Sequence, residues 1–189
     1  MIAKPLAIPD VVMLEPKVFR DARGAFFESF HQAELESALG RSLRFVQDNQ
    51  STSHRSVLRG LHYQIQQPQG KLIRVIRGEI FDVVVDLRRH STTFGQSLCH
   101  LLSDTQHQQL WVPEGFAHGF LTISDTAEVL YKTTDYYAPA HERCVRWDDP
   151  TLNIPWPLQL ATGTAGVSTP ILSAKDAQGV AFVDAETFA

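Results

Sequence analysis

The sequence predicts an all-β sandwich or barrel, and three observations lead there. Most of the middle of the chain divides into short runs rich in β-branched and aromatic residues, separated by turn residues. Arg77-Gly78-Glu79 joins two such runs, as in a tight hairpin. In the second run Phe81, Val83, Val85 and Leu87 form one fully apolar face. Ile80, Asp82, Val84 and Asp86 mix polar and apolar groups on the other, as expected of a strand lining a polar cavity.

In chain order, a turn at Asp21-Ala22-Arg23-Gly24 precedes a strand at Phe26 to Phe30. A short helix runs from Gln32 to Leu39, and Gly40 takes the stop position because glycine enters left-handed geometry freely. Strands are then expected at Arg44 to Ser51, Val57 to Ile65, Lys71 to Arg77, Glu79 to Leu87, Gln96 to Leu102, Gln108 to Val112, Gly119 to Ile123 and Glu128 to Thr134. After about Ala138 the pattern weakens, and Ala161 to Gly166 reads as a flexible loop. Ser173 is placed to cap a short helix at Ala174 to Gln178. The tail holds too few apolar groups to fold alone. Residues 1–189 are therefore expected to form one domain, with an irregular segment from about 140 to 189 packing on it.

Composition narrows the function classes. With 43% hydrophobic and 20% charged residues, 189 residues can bury a real core. The net charge of −4 argues against a nucleic-acid partner, because phosphate neutralisation needs a basic field; a local basic pocket for one small anion is compatible with it. Cys99 and Cys144 fit no metal or redox spacing. No stretch approaches the ~18 apolar residues of a membrane span, and the N-terminus lacks a signal-peptide pattern. No membrane partner and a cytoplasmic location are expected.

Four segments concentrate reactive side chains. Val57 to Gln64 holds Arg59 and His62 three residues apart with Gly60 between them. Strict alternation would send Gly60 and His62 to one face and Arg59 to the other; a bulge at Gly60 would turn both polar groups inward. The plainer alternative is an edge strand with two solvated polar groups. Pro113 to Gly119 brackets His118 in a turn entering a strand, where a histidine is ordinarily just solvated. Tyr131 to Tyr137 holds three tyrosines in seven residues, which aromatic core packing would also explain. Ser173 to Asp176 reads, alone, as an ordinary helix start.

In shared order and spacing these segments resemble the dTDP-4-dehydrorhamnose 3,5-epimerases over nearly the whole chain. The matching stretches are Glu15 to Phe19, Asp21 to Glu28, Phe45 to Ser51, Val57 to Tyr63, Gly70 to Arg74, Phe81 to Arg88, Ser91 to Gly95, Pro113 to Phe120, Tyr131 to Pro139 and Leu172 to Asp176. Leu158 to Pro170 looks longer than in the family, and the residues around His141 depart from its pattern. The resemblance implies a cupin-type jelly-roll fold, a homodimer, and no metal or other cofactor. It implies conversion of dTDP-4-dehydro-6-deoxy-D-glucose to dTDP-4-dehydro-6-deoxy-L-mannose, on the way to L-rhamnose.

That reaction inverts C3 and C5, the carbons flanking a C4 ketone, so an acid and a base must stand on opposite sides of the sugar ring. The resemblance assigns His62 as the base, since an imidazole titrates near neutral pH. Asp176 matches its orienting carboxylate, with Asp82, on the polar face of a neighbouring strand, as the rival. Tyr131 matches the proton donor, a phenol that stays protonated until an enolate needs it. Lys71 matches a substrate contact suited to an enolate oxygen. Arg23 and Arg59 suit the diphosphate, Tyr137 matches a residue that stacks on thymine, and Glu28, Gln47, Asp48, Asn49, His118, Glu142 and Lys175 match further substrate contacts.

Three rival functions compare with this reading. A metal-dependent cupin needs about three histidines and a carboxylate, commonly from a His-x-His motif; here the run is His62-Tyr63-Gln64 with no glutamate before Lys71. A related 5-epimerase, 3-epimerase or ketoisomerase would share the His and Tyr machinery. A non-catalytic nucleotide-sugar-binding cupin would have no use for a base and an acid together.

Overall fold

A computed structural model describes residues 1–162 and 169–189. Two antiparallel sheets face each other as a jelly-roll sandwich. The first holds six strands in the order β1 (Ile2–Pro5), β2 (Val12–Glu15), β10 (Gln109–Val112), β7 (Lys71–Arg77), β12 (Thr126–Thr133) and β5 (Gln47–His54). The second holds five in the order β13 (Glu142–Cys144), β6 (Leu58–Gln64), β11 (Phe116–Thr122), β8 (Glu79–Asp86) and β9 (Ser97–Ser103). A separate hairpin joins β3 (Phe19–Asp21) to β4 (Gly24–Phe26).

The main core lies between the sheets, where Ile73, Val75, Ile80, Val84, Leu110 and Val129 meet. The alternation of β8 is realised on both sides. Ile80 and Val84 enter this core, while Val83, Val85 and Leu87 face a second cluster that Ile154, Trp156, Phe182 and Phe188 of the C-terminal segment cover. That segment is also stitched to the sandwich by bridges at Val57–Ile171, Arg88–Phe188 and Val145–Val180. On the outer face of the six-stranded sheet, helix α1 (Gln32–Leu39) buries Leu35 against Leu14, Leu72 and Trp111. The His31 imidazole accepts the Glu34 amide at its start, and Gly40 ends it at φ 65°.

Several boundaries differ from the sequence expectation. The strand expected at Phe26 to Phe30 ends at Phe26, because among the described residues β3 and β4 pair only with each other. Phe27 instead stacks on His107, and Phe30 packs edge-on against Phe45. Phe45 in turn meets Trp111, so β5 starts at Gln47 rather than Arg44. Strand β11 begins at Phe116, three residues earlier than expected. Strands β1, β2 and β13 were not foreseen: Val12, Met13 and Leu14 are buried on both faces and show no alternation. The helix expected at Ala174 to Gln178 is a 3-10 turn over Asp176–Gln178, where Ser173 Oγ accepts the Asp176 amide at 3.1 Å. A short helix α2 (Leu158–Thr162) takes the first residues of the expected loop at Ala161 to Gly166; the rest of that loop lies outside the described residues.

One polar knot fixes the turn leaving β8. Asp86 is fully buried and accepts from Arg88 (backbone N–H, Nε and a terminal nitrogen), Ser91 Oγ and Thr93 Oγ1 at 2.6–2.9 Å. Burial alone would push its carboxyl up; these hydrogen bonds more than offset that and hold it at about 2, below its ordinary 3.8. The folded value is depressed, so the stability it contributes is present above pH 3.8 and lost as pH falls towards 2. Asp86→Asn is expected to cost about 2 kcal/mol at neutral pH, since a neutral amide cannot accept all of these donors, while Arg88 keeps its ion pair with Asp10. Urea unfolding measures this, and a loss below about 1 kcal/mol would contradict the account.

Candidate active site

A bulge in β6 sets the site. Gly60 has φ 123°, a region that side chains disfavour, and a Cβ there would lie 2.5 Å from Gly119 Cα. A Cβ on Gly119 would lie 2.6 Å from the Arg59 carbonyl oxygen. Only two facing glycines allow this approach. The ladder registers the consequence: His118 opposes His62, but Phe120 opposes Arg59, so three steps along β6 match two along β11. Arg59 and His62 therefore face the same side, while Leu58 and Leu61 both point into the outer apolar clusters.

That side is a cleft of about 290 Å³ between the sheets. His62 projects from the five-stranded sheet, and its Nε2 lies 2.5 Å from Asp176 Oδ1. Asp176 is buried and also accepts from Ser173 Oγ at 2.7 Å and the Gly60 amide at 3.4 Å. Burial raises its carboxyl, but the His62 and Ser173 hydrogen bonds prevail and hold it below its usual value. An ionised carboxylate only accepts, so in the neutral imidazole it is Nε2 of His62 that carries the proton, leaving the lone pair on Nδ1.

The two candidate partners for His62 thus separate. Asp82 belongs instead to His118, whose Nε2 lies 2.7 Å from its Oδ2. Asp82 is buried, and its Oδ1 has no hydrogen-bond partner among the described residues. Lys71, at the start of β7, is buried with its Nζ 3.4 Å from the His62 carbonyl oxygen. Burial lowers its ammonium to about 8, against the opposing pull of Asp82 and Glu142.

Tyr131 enters from β12, on the sheet facing His62, and packs on the main core. Burial raises its phenol, with the Arg59 cation opposing, so it is protonated at neutral pH. At the mouth, Arg59 donates to Ser53 Oγ at 2.9 Å. The Tyr137 hydroxyl donates to Glu142 Oε2 at 2.5 Å, and Glu142 is ion-paired with Lys175 through its other oxygen. The three cations Arg59, Lys71 and Lys175 all line this cleft, which suits a diphosphate and a developing oxyanion.

Nine of the sequence-selected residues line the cleft: Arg59, His62, Lys71, His118, Tyr131, Tyr137, Glu142, Lys175 and Asp176. Gln47 and Asn49 stand beside it: Gln47 accepts the Tyr137 amide at 3.0 Å and donates to Asn49 Oδ1 at 2.8 Å. Asp48 is exposed and ion-paired with Lys132. Glu28 is exposed, and Arg23 sits on the β3–β4 hairpin paired with Asp21; neither lines the cleft. Ser51, Gln64, Gln69 and Ser173 also line the cleft without being expected there. For Ser173 a signal existed: serine three residues before aspartate is the spacing of a capping box, and here Ser173 both caps and fixes Asp176.

Among the described residues, His62, Cys144 and Asp176 form a group whose donor atoms lie within 4.8 Å of one another. It is a poor metal set. Burial, aided by the Asp176 charge, pushes the Cys144 thiol up to about 12, and His62 and Asp176 already bond each other.

A family model described as dTDP-4-dehydrorhamnose 3,5-epimerase matches residues 5–184. A protein of that name from Pseudomonas aeruginosa is 58% identical over 188 residues, covering 100% of this chain and 99% of its own. Among solved structures, a dTDP-6-deoxy-D-glucose-3,5-epimerase from Legionella pneumophila in complex with dTDP-4-keto-L-rhamnose superposes with a TM-score of 0.91. It is 45% identical, over 98% of this chain and 94% of its own. A 3'-monoepimerase from Streptomyces bikiniensis in complex with dTDP-quinovose is 33% identical with a TM-score of 0.85, over 95% and 87% of the two chains. On the full-length family match, the chain belongs to the dTDP-4-dehydrorhamnose 3,5-epimerase family.

Proposed function

We infer that this chain is a dTDP-4-dehydrorhamnose 3,5-epimerase acting on dTDP-4-dehydro-6-deoxy-D-glucose to give dTDP-4-dehydro-6-deoxy-L-mannose. The observation that carries the reading is one cleft in which His62, backed by buried Asp176, and Tyr131, from the facing sheet, both stand beside Lys71. His62 Nδ1 removes the proton next to the C4 ketone. The electron pair moves into the carbonyl to give an enolate, whose oxygen Lys71 stabilises. The Tyr131 hydroxyl then returns a proton to carbon from the opposite face, and solvent restores both groups. Asp176 fixes the imidazole tautomer and balances the imidazolium that forms. Greater identity to the 3,5-epimerases than to the 3'-monoepimerase supports inversion at both carbons.

Arg59 and Lys175 hold the diphosphate, and Tyr137 stacks on the thymine, with His118, Glu142, Gln47 and Asn49 supporting the sugar nucleotide. Arg23, Glu28 and Asp48 do not line the cleft of their own chain, so they reach substrate only from a second copy. The exposed Phe19 and Phe26 beside Arg23 support such a homodimer. No described helix is long and apolar enough to cross a membrane, which together with a nucleotide-sugar substrate supports a cytoplasmic setting.

Five outcomes test this. Turnover in D2O is expected to place deuterium at both C3 and C5 by NMR. His62→Ala should abolish uptake at both carbons, and Tyr131→Phe should lower kcat by about 10²-fold or more; wild-type exchange in His62→Ala would remove that residue from the mechanism. The lysine cation exists below its pKa, so kcat/KM should fall as pH rises through about 8. A profile level to about pH 9.5 would exclude a charged role for Lys71. Finally, mixing His62→Ala chains with weakly binding Arg23→Ala chains should restore activity, because one site of each hybrid dimer is then intact; no recovery despite hybrid formation would refute the shared site.

A further inference from the structure

We propose that Gln64 is a positioning residue for substrate binding, holding Tyr137 at the cleft through the backbone on either side of it. This rests on the reading of Tyr137 as a wall of the nucleotide-sugar site. Gln64 follows His62 by two residues on β6, lines the same cleft and is 4% exposed. In the His-x-His motif of metal-dependent cupins the second histidine stands at this place. Here the amide is committed to a loop instead. Its Nε2 donates to the Tyr136 carbonyl at 3.2 Å and to the Gln67 carbonyl at 2.7 Å, and its Oε1 accepts the Ala138 amide at 2.8 Å.

The residue between those two contacts is Tyr137. Its own amide donates to Gln47 Oε1 at 3.0 Å and its hydroxyl to Glu142 Oε2 at 2.5 Å. Glu142 is in turn the ladder partner of Gln64 across β13 and β6. One buried side chain therefore ties both flanks of Tyr137 to the strand that carries His62.

The loop needs such a tie. Thr134 to Ala138 runs beyond the end of β12 and has no strand ladder. Side chains replace the ladder: besides Gln64 and Gln47, Gln69 Nε2 donates to the Asp135 carbonyl at 2.8 Å and Thr133 Oγ1 to the same oxygen at 2.9 Å. Gln64 is the one of these side chains whose amide both donates to and accepts from the loop itself, which an apolar side chain of the same length cannot do.

The test is a double-mutant cycle on the intact protein, read by calorimetric titration with dTDP. Gln64→Leu and Tyr137→Ala are each expected to weaken binding about tenfold, and the double variant about tenfold rather than a hundredfold, because both remove one contact. Hydrogen exchange should quicken over residues 134–140 in Gln64→Leu while β6 and β11 keep their protection. Gln64→Met, which keeps the length of the side chain without its amide, should weaken binding as Gln64→Leu does, and it carries the same cycle if Gln64→Leu does not fold. Losses that multiply, or unchanged affinity in both Gln64 variants, would overturn the positioning role alone. Wild-type affinity in Tyr137→Ala would overturn the reading of Tyr137 and the proposal with it.

Discussion

The approach of β6 to β11 at Gly60 and Gly119 is the constraint on which the rest of the site depends. With Cβ positions at 2.5 and 2.6 Å from opposing backbone atoms, neither glycine tolerates a side chain unless the strands separate. The approach lets β6 carry one residue more than β11, and that residue decides which groups face the cleft. Under strict alternation Arg59 would point under the C-terminal segment, where a guanidinium would be stripped of water without a partner. The same kink aims the Gly60 amide at Asp176, so the bulge orients both the proposed base and the carboxylate behind it.

Three buried charges share this small space, and removing each from water costs several kcal/mol. They are compensated unequally. Asp176 takes three donors, from His62, Ser173 and Gly60. Asp82 takes one, from His118, and leaves an oxygen unpartnered. Lys71 makes a single 3.4 Å hydrogen bond among the described residues. The uneven pattern fits the chemistry proposed for each group. A base must be held in one tautomer and one direction, which needs a saturated carboxylate. A cation that meets an oxyanion only during the reaction is more effective when no resident anion has already claimed it. Asp82 reaches Lys71 through its field alone, which opposes the burial effect and keeps the ammonium from falling further.

The architecture was legible because period-two patterning survives wherever a strand has two distinct environments. Strand β8 shows this in part: its apolar face meets the tail as the alternation predicts, while Ile80 and Val84 of its mixed face enter the main core and Asp82 reaches the cleft only by bonding His118. Patterning failed where both faces are alike, as in Val12 to Leu14. It also failed where aromatic anchoring beats pairing, as at Phe27, Phe30 and Phe45. Within the site, the family resemblance assigns roles to His62, Tyr131 and Asp176, but the residues alone leave Asp82 as a rival to Asp176 behind His62. That choice depends on a contact between residues 114 apart, which no local pattern encodes. Gln64 stayed hidden for a related reason: its role lies in two backbone groups of a loop, and backbone groups carry no sequence signature.

The C-terminal segment shows how fold and chemistry become one problem. By composition it is too polar to form a core, and it gains order only by covering the outer face of the five-stranded sheet with Trp156, Phe182 and Phe188. These side chains are partly buried there, each contributing at most roughly 1.5–3 kcal/mol, and the bridges to the sandwich add to what holds the irregular stretch in place. The same stretch delivers Ser173, Lys175 and Asp176 to the cleft on the opposite side of that sheet. It can do so because Ile171 bridges to Val57 at the start of β6 and Val180 bridges to Val145 just past β13, which clamps the turn between them against the edge of the sheet. Loosening the apolar cover would therefore cost the proposed base its carboxylate before it cost the sandwich its core, and inactivation would precede unfolding.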